Sequence, residues 1–141
     1  MKAFIDTSSL LKLYHKESDS DMIIKVLSGN INDIYLSELT ILEIRSAIWK
    51  KVRTGELDIH IASKIILCFQ KDYNKFQWIK LEKSIIKTAS DLLMKYGNKG
   101  LRTLDSLQLA SALVMKDEDC IFITSDNLLK SLFKQEHLNT F

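Results

Sequence analysis

Four acidic residues in the 141-residue chain stand where a carboxylate needs explaining. Asp6, in AFIDTSS, ends a short apolar run and is followed at once by three hydroxyl residues. Glu43, in LTILEIRSAIW, lies inside an apolar helical stretch with Leu39 and Ala47 on its own face. Asp105, in LRTLDSLQLASA, falls in the first turn of a helix and shares a face with Leu109 and Ala112. Asp126, in ITSDNLL, directly follows another apolar run. Taken alone, Asp126 reads as a helix cap and Asp105 as a first-turn acid, both favoured by the positive end of a helix. Asp6 is harder to explain as a cap, because Ser8 stands nearer a helix beginning around Ser9. Glu43 needs a cation, since an unpaired buried carboxylate costs on the order of several kcal/mol. Arg45 or Lys50 would serve as that partner, and so would a metal.

Gathered in one cleft, four carboxylates would repel each other and burial would raise their pKa values. A divalent cation reverses that penalty. Oxygen ligands without His or Cys select hard ions such as Mg²⁺ or Mn²⁺, which accept phosphate oxygens as further ligands. Such ions activate water and stabilise a leaving oxygen, so the chemistry is hydrolysis of a phosphodiester. It requires neither a serine nucleophile nor a histidine base, and His15, His60 and His137 stand beside none of the four acids.

Strands alternating with helices would bring such distant residues together. AFI before Asp6, DIYL at 33–36, FQWIKL at 76–81 and CIFIT at 120–124 read as strands. Helical stretches are predicted over 9–17, 19–27, 38–53, 57–73, 82–96, 104–116 and 127–134, with GNKG a loop and HLNTF a further edge strand. The helix at 38–53 carries apolar residues around most of its circumference, which predicts deep burial. The strands are apolar without polar alternation, the pattern of a parallel sheet covered by helices on both faces. Ligands in such folds bind beyond the carboxyl ends of the strands, where Asp6 and Asp126 would sit.

The chain lacks proline, has four glycines, and shows no linker or composition break, so residues 1–141 are expected to form one domain. No apolar run reaches the ~20 residues that cross a bilayer, and the start lacks a signal-peptide pattern, which points to the cytoplasm. Cys68 and Cys120 have no C-x-x-C spacing and sit in apolar segments, so both are expected to be buried thiols. A net charge of +2 does not by itself indicate nucleic-acid binding.

The whole chain resembles the PIN-domain nucleases, especially the small VapC-type toxins of prokaryotic toxin–antitoxin systems. MKAFIDTSSL is similar to the family's opening strand and first acid, with Ser8 in the nearby hydroxyl position. LTILEIRSAIWKK resembles its helix with a Thr-x-x-Glu element, here Thr40 and Glu43. LRTLDSLQLASAL resembles the third motif, with Asp105, and CIFITSDNLLK the final Thr-x-Asp, here Thr124 and Asp126. The resemblance implies a three-layer α/β/α sandwich and a Mg²⁺- or Mn²⁺-dependent endoribonuclease. It also implies a homodimer inhibited by a cognate antitoxin. By position, Asp6, Glu43, Asp105 and Asp126 would be the catalytic, metal-binding acids, with Ser8 and Thr124 as hydroxyl helpers. Many relatives carry histidine where this chain has Gln108.

An RNA substrate would need cations near those acids. Lys99 and Arg102, in GNKGLR just before Asp105, are the candidates, with Lys130 and Lys134 next. Tyr14, Trp49, Phe76 and Trp78 read as core aromatics that could alternatively stack on bases. Arg45 reads as a dimer contact or as one half of an ion pair. A receiver domain would show adjacent acids at its first site and a lysine after its last strand, and neither is present. A haloacid-dehalogenase-type phosphatase would carry a second aspartate where Ser8 stands. The alternative within the family is a catalytically silent PIN-like module that binds RNA or protein. The presence of all four acids argues against it.

Overall fold

Each apolar run forms a short strand because both of its faces are covered. The computed structural model describes residues 1–141, with β1 at Lys2–Ile5, β2 at Asp33–Ser37, β3 at Gln77–Ile79 and β4 at Cys120–Ile123. They form one parallel sheet in the order β3-β2-β1-β4, with Ala3 opposite Ile34 and Ile121, and Ile5 opposite Ile123. Successive side chains on a strand point to opposite faces, and each face has its own core. Phe4 and Phe122 meet Phe133 on one side, with ring centroids 6.0–6.4 Å apart. Ala3, Ile5 and Ile123 face the other side.

The helices divide accordingly. α1 (Thr7–Tyr14), α2 (Ser20–Leu27), α3 (Leu39–Arg53) and α4 (Ile59–Asp72) pack against the Ala3–Ile5 face. α5 (Lys83–Tyr96), α6 (Thr103–Leu113) and α7 (Asn127–Gln135) supply Ile85, Leu92, Leu109, Leu129 and Phe133 to the Phe4 face. The result is the expected α/β/α sandwich with a parallel sheet. The chain steps from β1 outward through β2 to β3, then crosses back to lay β4 on the other side of β1. The β1/β4 boundary is therefore the switch point where such sheets cradle ligands.

Several local expectations are corrected. The first helix starts at Thr7 with Asp6 as its cap, because the Asp6 carboxylate, and not Ser8, accepts the Ser9 N–H. The third strand is only Gln77–Ile79, and HLNTF contributes a single bridge from Thr140 to Phe122 in place of a strand. GNKG is not an open loop: Gly97–Lys99 makes a 3₁₀ turn, closed by Gly100 at φ 93, a backbone conformation that suits glycine. Cys68 is exposed, because α4 turns Ala62, Ile65 and Phe69 inward at helical spacing; Cys120 is buried as expected. α3 is not buried all round, since Leu42 and Trp49, seven residues apart on one face, are 67% and 55% exposed. Trp49 therefore lies outside the core, lining an apolar groove between α3 and α4 that contains none of the four acids.

Candidate active site

Parallel pairing of β1 with β4 sets Asp6 beside Thr124. The Asp6 N–H donates to the Ile123 carbonyl (3.1 Å), and the Thr124 hydroxyl donates to Asp6 Oδ2 (2.5 Å). Ser8 Oγ lies 2.9 Å from both Asp6 oxygens, and the Ser9 N–H reaches Oδ1 at 3.0 Å. Burial raises the Asp6 pKa from the ordinary 3.8 to about 6, while these donors pull it the other way. The same Thr124 hydroxyl accepts the Asp126 N–H at 3.1 Å, and Asp126 caps α7 through the Leu129 N–H at 2.7 Å. Asp126 is thus a cap, as its sequence context reads, and also adjoins the Asp6 cluster.

Glu43 sits one helical turn beyond Thr40 on α3 and meets neither Arg45 nor Lys50. Arg45 instead donates to the Ile41 carbonyl (2.7 Å) and lies over the Phe69 ring, which removes it as an ion-pair partner. Glu43 Oε1 accepts from Thr7 Oγ1 at 2.9 Å and from Gln108 Nε2 at 2.7 Å. Burial raises the Glu43 pKa, these two donors lower it, and the charge of Asp105 raises it again. Asp105 in turn is raised by burial and then by the charge of Asp126, against a lowering by Arg102. Two chains of contact therefore join the four acids. Hydrogen bonds run from Glu43 through Thr7 to the start of α1, and from Asp6 through Thr124 to Asp126. Charge–charge repulsion links Glu43, Asp105 and Asp126.

The acids are linked pairwise, Glu43 to Asp105 and Asp105 to Asp126 by charge, and Asp126 to Asp6 through Thr124. No three Asp, Glu, His or Cys side chains approach closely enough to grip one ion as they stand. Cations are scarce here. The only ion pair to any of the four is Arg102 Nε at 4.0 Å from Asp105, and Arg102 is itself 86% exposed. One buried and three partly buried carboxylates, with a single exposed arginine as counter-charge, offer oxygen ligands that fit a hard divalent cation, whose charge would offset their desolvation and mutual repulsion.

Lys99 is exposed, with its ammonium 5.9 Å from the Tyr96 ring, on the turn that leads to Arg102 and Asp105. Lys130 lies over the Phe141 ring, and Lys134 is exposed on α7. Sequence reasoning missed two supports of this region. Thr7 serves Glu43, together with Gln108. Ser125, between Thr124 and Asp126, donates to Asp19 Oδ2 at 2.9 Å, and Asp19 is paired with Lys12 at 2.6 Å. The signal for Gln108 was its place one turn after Asp105, an amide among Leu109, Ala110 and Ala112.

A family model described as PIN domain matches residues 3–133. The chain belongs to the PIN-domain family. No curated protein matches this PIN domain, but solved structures share its fold across nearly its whole length. The toxin VapC20 of Mycobacterium tuberculosis, described as cleaving the sarcin–ricin loop, superposes with a TM-score of 0.69 at 13% identity, covering 93% of this chain and 95% of its own. FitAcB from Neisseria gonorrhoeae gives 0.69 at 14% identity over 99% and 96%. VapBC2 from Rickettsia felis, bound to promoter DNA, gives 0.63 at 15% over 100% and 98%. At such identities the likeness is one of fold. No helix of this PIN domain is long and apolar enough to cross a membrane.

Proposed function

We propose that this chain, as a single domain over residues 1–141, is a divalent-metal-dependent endoribonuclease and the toxin of a type II toxin–antitoxin pair. The observation that carries the reading is buried Asp6 at the β1/β4 switch point, with the partly buried Glu43, Asp105 and Asp126, almost without cationic partners. Membership in the PIN family and the fold shared with VapC toxins support it.

Asp6, Glu43, Asp105 and Asp126 would hold Mg²⁺ or Mn²⁺. A bound ion of this kind supplies an activated water and neutralises charge at the phosphate. The chain's own residues do the positioning. Thr124 and Ser8 fix both oxygens of Asp6, so the carboxylate does not rotate. Thr7 and Gln108 hold Glu43 by one oxygen, both donating to Oε1. The exposed side chains of Arg102, beside Asp105, and of Lys99, on the turn that leads to it, would take the phosphates flanking the scissile bond. A cognate antitoxin, supported by neighbours solved as VapBC complexes, and a homodimer complete the reading. RNA as the substrate places its action in the cytoplasm.

The test is cleavage of a structured RNA by the purified chain with Mg²⁺ or Mn²⁺, with EDTA, and with the Asp6→Asn and Asp105→Asn variants. Cleavage should vanish in EDTA and in both variants while circular dichroism stays unchanged. Undiminished cleavage in excess EDTA, or full activity in either variant, would refute the mechanism. Absence of cleavage by the intact chain with both ions would favour the silent binding module.

A further inference from the structure

Gln108 is 2% exposed, yet its side chain is poorly satisfied for a core residue. Its Oε1 is buried with no hydrogen-bond partner, an unfavourable state for a polar atom. Reversing the amide would not cure this, because Oε1 would then face Glu43 Oε1, acceptor against acceptor. The Nε2 side makes all the contacts: Glu43 Oε1 at 2.7 Å, Thr7 Oγ1 at 3.1 Å and Thr40 Oγ1 at 3.2 Å. Glu43 Oε1 can only accept, so the directions in this network are fixed. The Thr7 hydroxyl gives its single proton to Glu43, and the Thr40 hydroxyl, 2.9 Å from Thr7, therefore donates to Thr7.

This arrangement spends one carboxylate oxygen completely. Oε1 of Glu43 has two in-plane lone pairs, and Thr7 and Gln108 occupy both, while no hydrogen bond reaches Oε2. We infer that Gln108 and Thr7 are positioning residues that restrict Glu43 to one-oxygen coordination through Oε2, and thereby set which divalent ion the site accepts. The inference rests on the reading that the four acids bind a divalent ion. Mg²⁺ and Mn²⁺ suit single carboxylate oxygens in octahedral order, whereas Ca²⁺ gains from carboxylates that offer both oxygens to its larger shell. A saturated Oε1 withholds the second oxygen. An orphaned amide oxygen is retained because no apolar residue of similar size could hold Glu43 this way.

Binding, without any turnover, tests the idea. Free Mn²⁺ is counted by electron paramagnetic resonance, and Ca²⁺ is titrated in competition, for the intact protein and for Gln108→Met, Thr7→Val and Thr7→Ser. The last keeps the hydroxyl. Supporting hydrogen-bond donors of this kind change metal affinity by about tenfold or more, so the preference for Mn²⁺ over Ca²⁺ should fall by about tenfold in Gln108→Met and Thr7→Val and stay put in Thr7→Ser. If Gln108→Met does not fold, the two Thr7 variants decide. A preference unchanged to within about twofold in the donor-deleted variants, or shifted equally in Thr7→Ser, would overturn the inference. Failure of the intact protein to bind either ion would instead take down the metal-binding reading on which it stands.

Discussion

Asp6 should make the metal-free protein weaker at neutral pH than in mild acid. Its pKa moves from 3.8 to about 6 on folding because its carboxyl is 4% exposed. The difference of about 2.2 units, at 1.36 kcal/mol each, is about 3 kcal/mol. A raised native pKa means that the stability is whole below 3.8 and is lost as pH rises through 6. Asp6→Asn keeps the size and the capping oxygen but cannot ionise, so its loss of stability over that window should be smaller. In metal-stripped buffer the variant should match the parent near pH 4 and exceed it by up to about 3 kcal/mol at pH 7.5. For a domain of this length that corresponds to a Tm difference of roughly 6–12 °C. Urea unfolding across the pH series measures it, and the other acids titrate in both proteins and largely cancel. Added Mg²⁺ should stabilise the parent by about 2.7 kcal/mol at a hundredfold excess over Kd, and the variant much less. A variant no more stable than the parent at pH 7.5, or a gap equally wide at pH 4, would refute the argument that burial destabilises this charge.

Two further outcomes follow from other parts of the molecule. Lys99→Ala and Arg102→Ala should weaken RNA binding across sequences and lower the slope of log affinity against log salt by about one each, as measured by fluorescence anisotropy at several salt concentrations. Gly100→Ala should cost about 1–2 kcal/mol in a denaturant titration, because alanine resists the φ of 93 there. Crowding contributes nothing, since the nearest atom to an added methyl is Leu128 Cδ2 at 3.9 Å.

The sequence revealed the parts of the site that depend on local order. Asp6 and Asp126 announce themselves because one directly follows, and the other stands three residues beyond, an apolar run that reads as a covered strand. Glu43 does so because a charge interrupts an apolar helix. What defeats reading along the chain is partnership across it. Gln108 meets Glu43 across 65 residues and Thr7 across 101, so neither the donor nor its target hints at the other. The same limit explains Arg45, whose expected acid proved to be a backbone carbonyl one turn away and an aromatic ring from α4. Cys68 illustrates a different limit: IILCF is uniformly apolar, and only the packing of α4 decides which of its faces turns to water.

The pairing of β1 with β4 also sets a timetable for synthesis. Thr124 must span 118 residues to reach Asp6, and the pairing partner of Phe4 is Phe122. A ribosome adds roughly 5–20 residues per second, so the amino-terminal strand waits several seconds or more before its neighbour emerges. Throughout that interval the first acid has neither its hydroxyl clamp nor Asp126 beside it. The clamp on the Asp6 carboxylate therefore closes only after the chain has been made past residue 126, however early its own strand appears.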